Sequence, residues 1–180
     1  MTVGRVVPVL NIIKDRSTNM YRVLITDDEK IEREGIKFLL AQEEGEYEIH
    51  EAANGRQALN VLRSEEIDFL LTDIKMPHMD GLELASKVRE EYPNLPIVIF
   101  SGYSDFAFAQ EAMRYGVKDY VLKPVDPDTF HTTIGKVKAE LQSIRSKKQK
   151  EEKGKNFLLQ YFLQTYLYSG NVEKSWGDFR

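Results

Sequence analysis

The sequence predicts an α/β fold, a parallel sheet covered by helices on both faces, and three observations carry that expectation. Short β-branched runs alternate with helical patterns from Met20 to about Lys147, five of each. Two of the runs, "IDFLLT" and "PIVIFS", are almost continuously apolar, as strands buried on both faces must be. The composition, 42% hydrophobic and 30% charged over 180 residues, supplies a real core for one domain plus an appendage.

In chain order the expected strands are "YRVLIT" (21–26), "YEIHEA" (47–52), "IDFLLT" (67–72), "PIVIFS" (96–101) and "KDYVLK" (118–123). Helical patterns follow them at roughly 29–43, 55–64, 81–92, 105–115 and 126–147. Pro93 and Pro96 bracket the entry to the fourth strand, and Gly116 stands where a helix C-cap glycine belongs. Leu24, Ile25, Leu70, Leu71, Val98 and Ile99 are the expected core.

The two ends read differently from this middle, giving three expected regions: 1–19, 20–147 and 148–180. Residues 1–19 form an extension expected to be disordered; Pro8 breaks its apolar patch and no small-residue cleavage site follows. The charged run "RSKKQKEEKGK" (145–155) either continues the fifth helix or acts as a solvated linker. After it, "NFLLQYFLQTYLYSG" (156–170) is apolar on nearly every side, yet too short to span a bilayer. Such a helix needs burial, and little of the chain remains to bury it. A partner protomer or a further helical region is expected there.

Charge and cysteine content narrow the chemistry. A net charge of −4 argues against a nucleic-acid-coating surface. With no cysteine, disulfides, thiolate metal sites and cysteine nucleophiles are excluded, and a reducing, cytoplasmic setting fits. No stretch is long and apolar enough for a membrane helix, so no membrane partner is expected.

The stretch "LLTDIKMPHMDG" (70–81) poses the functional question: it ends a buried strand on an acid. A carboxylate at that tip costs solvation energy unless something compensates it. In an open parallel sheet, ligands gather at the carboxyl ends of the strands. Those ends carry Asp27 and Asp28, then Asp73, Ser101 and Lys123. Three carboxylates without histidine suit a hard cation, Mg²⁺ or Mn²⁺. A serine hydroxyl and a lysine ammonium opposite them supply what a phosphoryl group needs. Each residue also has a plainer role: Asp28 as a helix N-cap, Asp73 and Ser101 in turns, Lys123 on the surface. Their joint placement at one edge favours the shared pocket.

The acidic pair in "LITDDEK", the loop "TDIKMPHMDGLE", the "SG" after the fourth strand and "DYVLKP" at the fifth together resemble the receiver domain of bacterial two-component response regulators, over about residues 20–147. That resemblance implies a flavodoxin-like, doubly wound sheet of order 2-1-3-4-5. It implies Asp73 as phosphoacceptor, fed by a sensor histidine kinase, with Mg²⁺ held by Asp27, Asp28, Asp73 and the backbone carbonyl of Lys75. Ser101 and Lys123 would bind phosphoryl oxygens, Tyr120 would be the aromatic switch, and the Lys123–Pro124 peptide would be cis. The fourth helix, fifth strand and fifth helix, about 104–147, would form a homodimer face favoured by phosphorylation. Gly102 leaves the entrance open, and the flanking Lys75 and Tyr103 are expected to set the lifetime of the phosphorylated form.

The stretch "SGYSDFAFAQEAMRYGVKDYVLKPVD" is similar to receivers joined to an AraC-type helix-turn-helix output domain. Any DNA contact would then belong to an output domain absent from this chain. An aspartate-nucleophile phosphohydrolase fits poorly, because the acid it needs two residues after the nucleophile is here Lys75. A receiver-like interaction module that is never phosphorylated is a further alternative. The chain is read as a signalling phosphoacceptor rather than an enzyme.

Overall fold

A computed structural model of the protein describes residues 20–102 and 106–168. The extension 1–19 and Tyr103 lie outside the described residues. The elements in order are β1 (Met20–Thr26), α1 (Lys30–Leu40), β2 (Glu46–Ala52), α2 (Gly55–Ser64), β3 (Phe69–Thr72), α3 (Gly81–Glu91), β4 (Ile97–Ser101), α4 (Phe106–Arg114), β5 (Asp119–Leu122) and α5 (Pro127–Tyr168). All pairings are parallel and the sheet order is β2-β1-β3-β4-β5, the order the resemblance implied.

Burial explains that order. Every residue of β3 and β4 is buried, so those strands need neighbours and helices on all sides. The more polar β2 and β5 take the two edges. Alternating side chains of the central strands divide the core in two. Leu24, Leu70, Ile97 and Ile99 face α2 and α3, against Ala58, Leu59, Leu82 and Val88. Ile25, Leu71, Val98 and Phe100 face α1 and α5, against Ile36, Leu40, Phe130 and Ile134. All six expected core residues are fully buried.

Local signals set the helix ends. Asn54 accepts from the Gln57 amide to cap α2, and Asp80 accepts from the Glu83 amide to cap α3. The N-cap position of α1 is Glu29, so the plain capping role weighed for Asp28 is not the one it has. Gly116 closes α4 with φ of 67°, a left-handed turn suited to glycine.

The fifth helix departs from the expected end at 147. It runs unbroken for 42 residues, so the charged run is helical rather than a loop-like linker. Phe130, Ile134, Val137 and Leu141 bury its first half at helical spacing. Arg145 makes the last tie to the domain, pairing with Asp68 at 3.1 Å and lying over the Tyr21 ring. From Ser146 to Tyr166 every side chain is exposed, including Phe157, Leu158, Tyr161 and Phe162. No helix among the described residues is long and apolar enough to cross a membrane.

One close approach fixes the turn after β3. The Gly81 amide donates to the Ile74 carbonyl at 2.8 Å, and a Cβ at Gly81 would overlap the Asp73 carbonyl oxygen. Because the obstacle is backbone, Gly81→Ala must push the Asp73 turn aside. A loss of about 2 kcal/mol or more in urea unfolding is expected; an unchanged midpoint would show that the turn yields freely.

Candidate functional site

The sheet delivers three of the expected residues to one point. β1 and β3 are adjacent and in register to Thr26 and Thr72, so Asp27 and Asp73 emerge side by side. The Asp73 amide donates to the Thr26 carbonyl at 2.8 Å, and the Asp27 amide to the Ala52 carbonyl at 3.1 Å. Across β4, the Lys123 amide donates to the Ser101 carbonyl at 2.8 Å, which places Lys123 one residue past β5. Its ammonium then reaches Asp27 Oδ2 at 2.7 Å and Asp73 Oδ1 at 3.2 Å. The Lys123–Pro124 peptide is cis, as the resemblance implied.

The other carboxylate oxygens are held by backbone. Asp27 Oδ1 accepts from the Glu29 amide at 2.9 Å, and Asp73 Oδ2 from the Lys75 amide at 2.8 Å. These bonds orient the two acids while leaving the pocket side open. A cavity of about 690 Å³ lies over them, lined by Asp27, Asp28, Glu32, Asp73, Gly102 and Lys123 among others. Lys75 also lines it, with its ammonium 5.5 Å from the centre of the Phe108 ring on α4.

Two expected residues stand apart from that cluster. Ser101 is fully buried at the end of β4, directly before the Gly102 that lines the cavity. Tyr120 is partly buried against the α2/α3 side of the core and borders a separate cavity beside α5. Asp28 is on the cavity wall but exposed. One residue was missed: Glu32, in the first turn of α1, comes within 3.5 Å of the Lys123 ammonium. An acid there is ordinary in any helix, so only the position of α1 at the pocket mouth could have singled it out.

The electrostatics follow from burial. Desolvation raises the Asp73 carboxyl above its ordinary value; Lys123 and the Lys75 amide oppose the rise, and the neighbouring Asp27 charge adds to it. Burial alone would lower Lys123, but the hydrogen bond it donates to Asp27 and the charges of Asp73 and Asp27 reverse this and raise it. The donor types fit a hard divalent cation, because Asp27, Asp28 and Asp73 offer only oxygen. As arranged, however, Lys123 takes the central place, and no three acidic, histidine or cysteine side chains among the described residues are grouped to hold a metal.

A raised carboxyl means that the folded state carries an unfavourable negative charge at neutral pH. Asp73→Asn is therefore expected to raise the thermal midpoint by a few degrees. The gain should be full above the raised value, fade as pH falls from there into the ordinary carboxylate range, and be gone below that range, where Asp73 is neutral in both states. Thermal melts across pH check this; a destabilised Asn variant at pH 7 contradicts it.

Known proteins share this architecture. Residues 23–135, more than half of the chain, match the response regulator receiver domain family. The transcriptional regulatory protein YesN of Bacillus subtilis is 38% identical over 132 residues, which is 72% of this chain and 36% of YesN. The transcriptional regulatory protein HptR of Staphylococcus aureus is 33% identical over 121 residues, 66% of this chain and 46% of HptR. The chain thus spans less than half the length of these two relatives. Among solved structures, the REC domain of AraT, a response regulator from Geobacillus stearothermophilus, is 40% identical with a TM-score of 0.63, covering 69% of this chain and 98% of that one. A response regulator receiver domain protein from Clostridium thermocellum is 26% identical with a TM-score of 0.63 over the same shares. Fold, strand-end acids and these likenesses agree: the chain belongs to the response regulator receiver domain family.

Proposed function

We propose that the protein accepts a phosphoryl group on Asp73 from the phospho-imidazole of a sensor histidine kinase and uses it to control a transcription regulator's output. The observation that carries the reading is the Lys123 ammonium bridging Asp27 and Asp73 at the floor of an open cavity. An Asp73 oxygen would attack phosphorus as the P–N bond breaks, and the bonding pair leaves with the imidazole. Phosphoryl transfer demands mainly alignment and charge neutralisation. Lys123 supplies one positive charge, and the backbone bond from Lys75 orients the nucleophile. Mg²⁺ or Mn²⁺, held by Asp27, Asp28, Asp73 and the backbone carbonyl of Lys75, would supply further positive charge against the phosphoryl oxygens.

Ser101 is the hydroxyl that would turn to the phosphoryl group, with Tyr120 following inward as the switch. Ser101 ends the strand that Tyr120 pairs beside, since Ile99 and Tyr120 are register partners on β4 and β5. The output is a homodimer through α4, β5 and the first part of α5, roughly residues 104–147. Exposed Phe106, Met113 and Leu122 on that face support it. The receiver domain would end near 147, with 148–180 leading to a further helical region and an AraC-type DNA-binding domain in a longer, cytoplasmic protein. The relatives' greater length supports that extension.

Acetyl phosphate with Mg²⁺ is expected to add one phosphate to the intact protein, seen by mass, and none to Asp73→Asn. Steady turnover of small phosphoesters without an adduct would favour a phosphohydrolase instead. Light scattering of the phosphorylated protein should show a dimer that Leu122→Arg returns to monomer without loss of the adduct. A dimer that survives this change and a second one, Met113→Glu, excludes this face.

A further inference from the structure

We propose that Glu32 is a positioning residue for Lys123, one that draws its ammonium away from an incoming phosphoryl group and so slows phosphorylation of Asp73. The inference rests on Asp73 being the phosphoacceptor. A lysine ammonium has three N–H donors. Three carboxylates face this one, at 2.7 Å from Asp27, 3.2 Å from Asp73 and 3.5 Å from Glu32. Asp27 takes one donor in a short hydrogen bond, and Asp73 and Glu32 stand within ion-pair distance of the same ammonium before any phosphoryl group arrives.

The three acids are not equivalent. Asp27 and Asp73 are fixed at strand ends with side chains 3% and 10% exposed, whereas Glu32 is 43% exposed on the first turn of α1. Glu32 is the partner that can be given up without disturbing the buried pair. An acid in a first helical turn gains from the N-terminal amides wherever its side chain points. The approach to Lys123 across the cavity is additional to that role. An arriving phosphoryl group is anionic and needs Lys123 donors. Glu32 competes for those donors and repels the newcomer, and both effects act in the same direction.

Acetyl phosphate serves as the probe. An Asp73 oxygen bonds to phosphorus while the bond from phosphorus to the acetyl oxygen breaks, and acetate leaves with the electron pair. Adduct formation is timed by intact mass in the wild type and in Glu32→Gln, Glu32→Asp and Glu29→Gln. Glu29 lines the same cavity but forms no ion pair with Lys123 among the described residues. Glu32→Gln should react about two- to fivefold faster, the range an exposed ion pair commands. Glu32→Asp keeps the charge and should stay near the wild-type rate, as should Glu29→Gln. In metal-free protein, the Lys123 side-chain NMR resonance should move in Glu32→Gln and not in Glu29→Gln. An unchanged or slower Glu32→Gln, or an equal acceleration in Glu29→Gln, overturns the proposal while leaving Asp73 as acceptor. A wild type that takes up no phosphate at all overturns both.

Discussion

The site at the sheet edge is organised around one ammonium. Lys123 stands between two carboxylates on different strands, and each was carried to the sheet edge by hydrophobic burial rather than by attraction to its partners. Bringing Asp27 and Asp73 side by side without a cation would cost several kcal/mol in a low-dielectric setting. The lysine offsets that cost, and the costs do not vanish: Asp73 still titrates high because its burial outweighs the help it receives.

Much of this was legible in the sequence, and for identifiable reasons. The runs "FLLT" and "IVIFS" can only be central strands, and once they are central the residues after them must share an edge. Asp73 followed from that step, and Asp27 and Lys123 from the same edge rule applied to the first and fifth runs. The strand order did not; it came from resemblance, because periodicity says which strands are buried but not which pair. Contacts made from helices were also hidden. Glu32 looks like any first-turn acid, and Gly81 like any turn glycine, until α1 and the Asp73 backbone are set beside them.

The end of α5 was the least legible element. Both possible readings of the charged run had support, since a mixture of lysines with Glu151 and Glu152 suits a solvated helix as well as a linker. Helix propensity decided in favour of helix: the run holds one glycine and no proline, so nothing in it stops a helix already nucleated and anchored by Phe130 to Leu141. Past Arg145 the helix has no tertiary support among the described residues, which leaves Phe157, Leu158, Leu159, Tyr161, Phe162, Leu163 and Tyr166 exposed.

The same helix ties the projecting arm to the site through one aromatic pair. Phe100 stacks on Phe130 with ring centres 5.8 Å apart. Phe100 immediately precedes Ser101 on β4, and Phe130 lies in the first turn of α5. Close-packed interiors transmit displacement because side chains have no empty space to move into. The end of β4 and the seat of α5 are therefore packed directly against each other, in the first turn of the 42-residue helix that runs on out of the domain. Tyr120 lies on the opposite side of the sheet, packed against the other core, so the two halves of the core each border the end of the sheet where Asp73 and Lys123 meet.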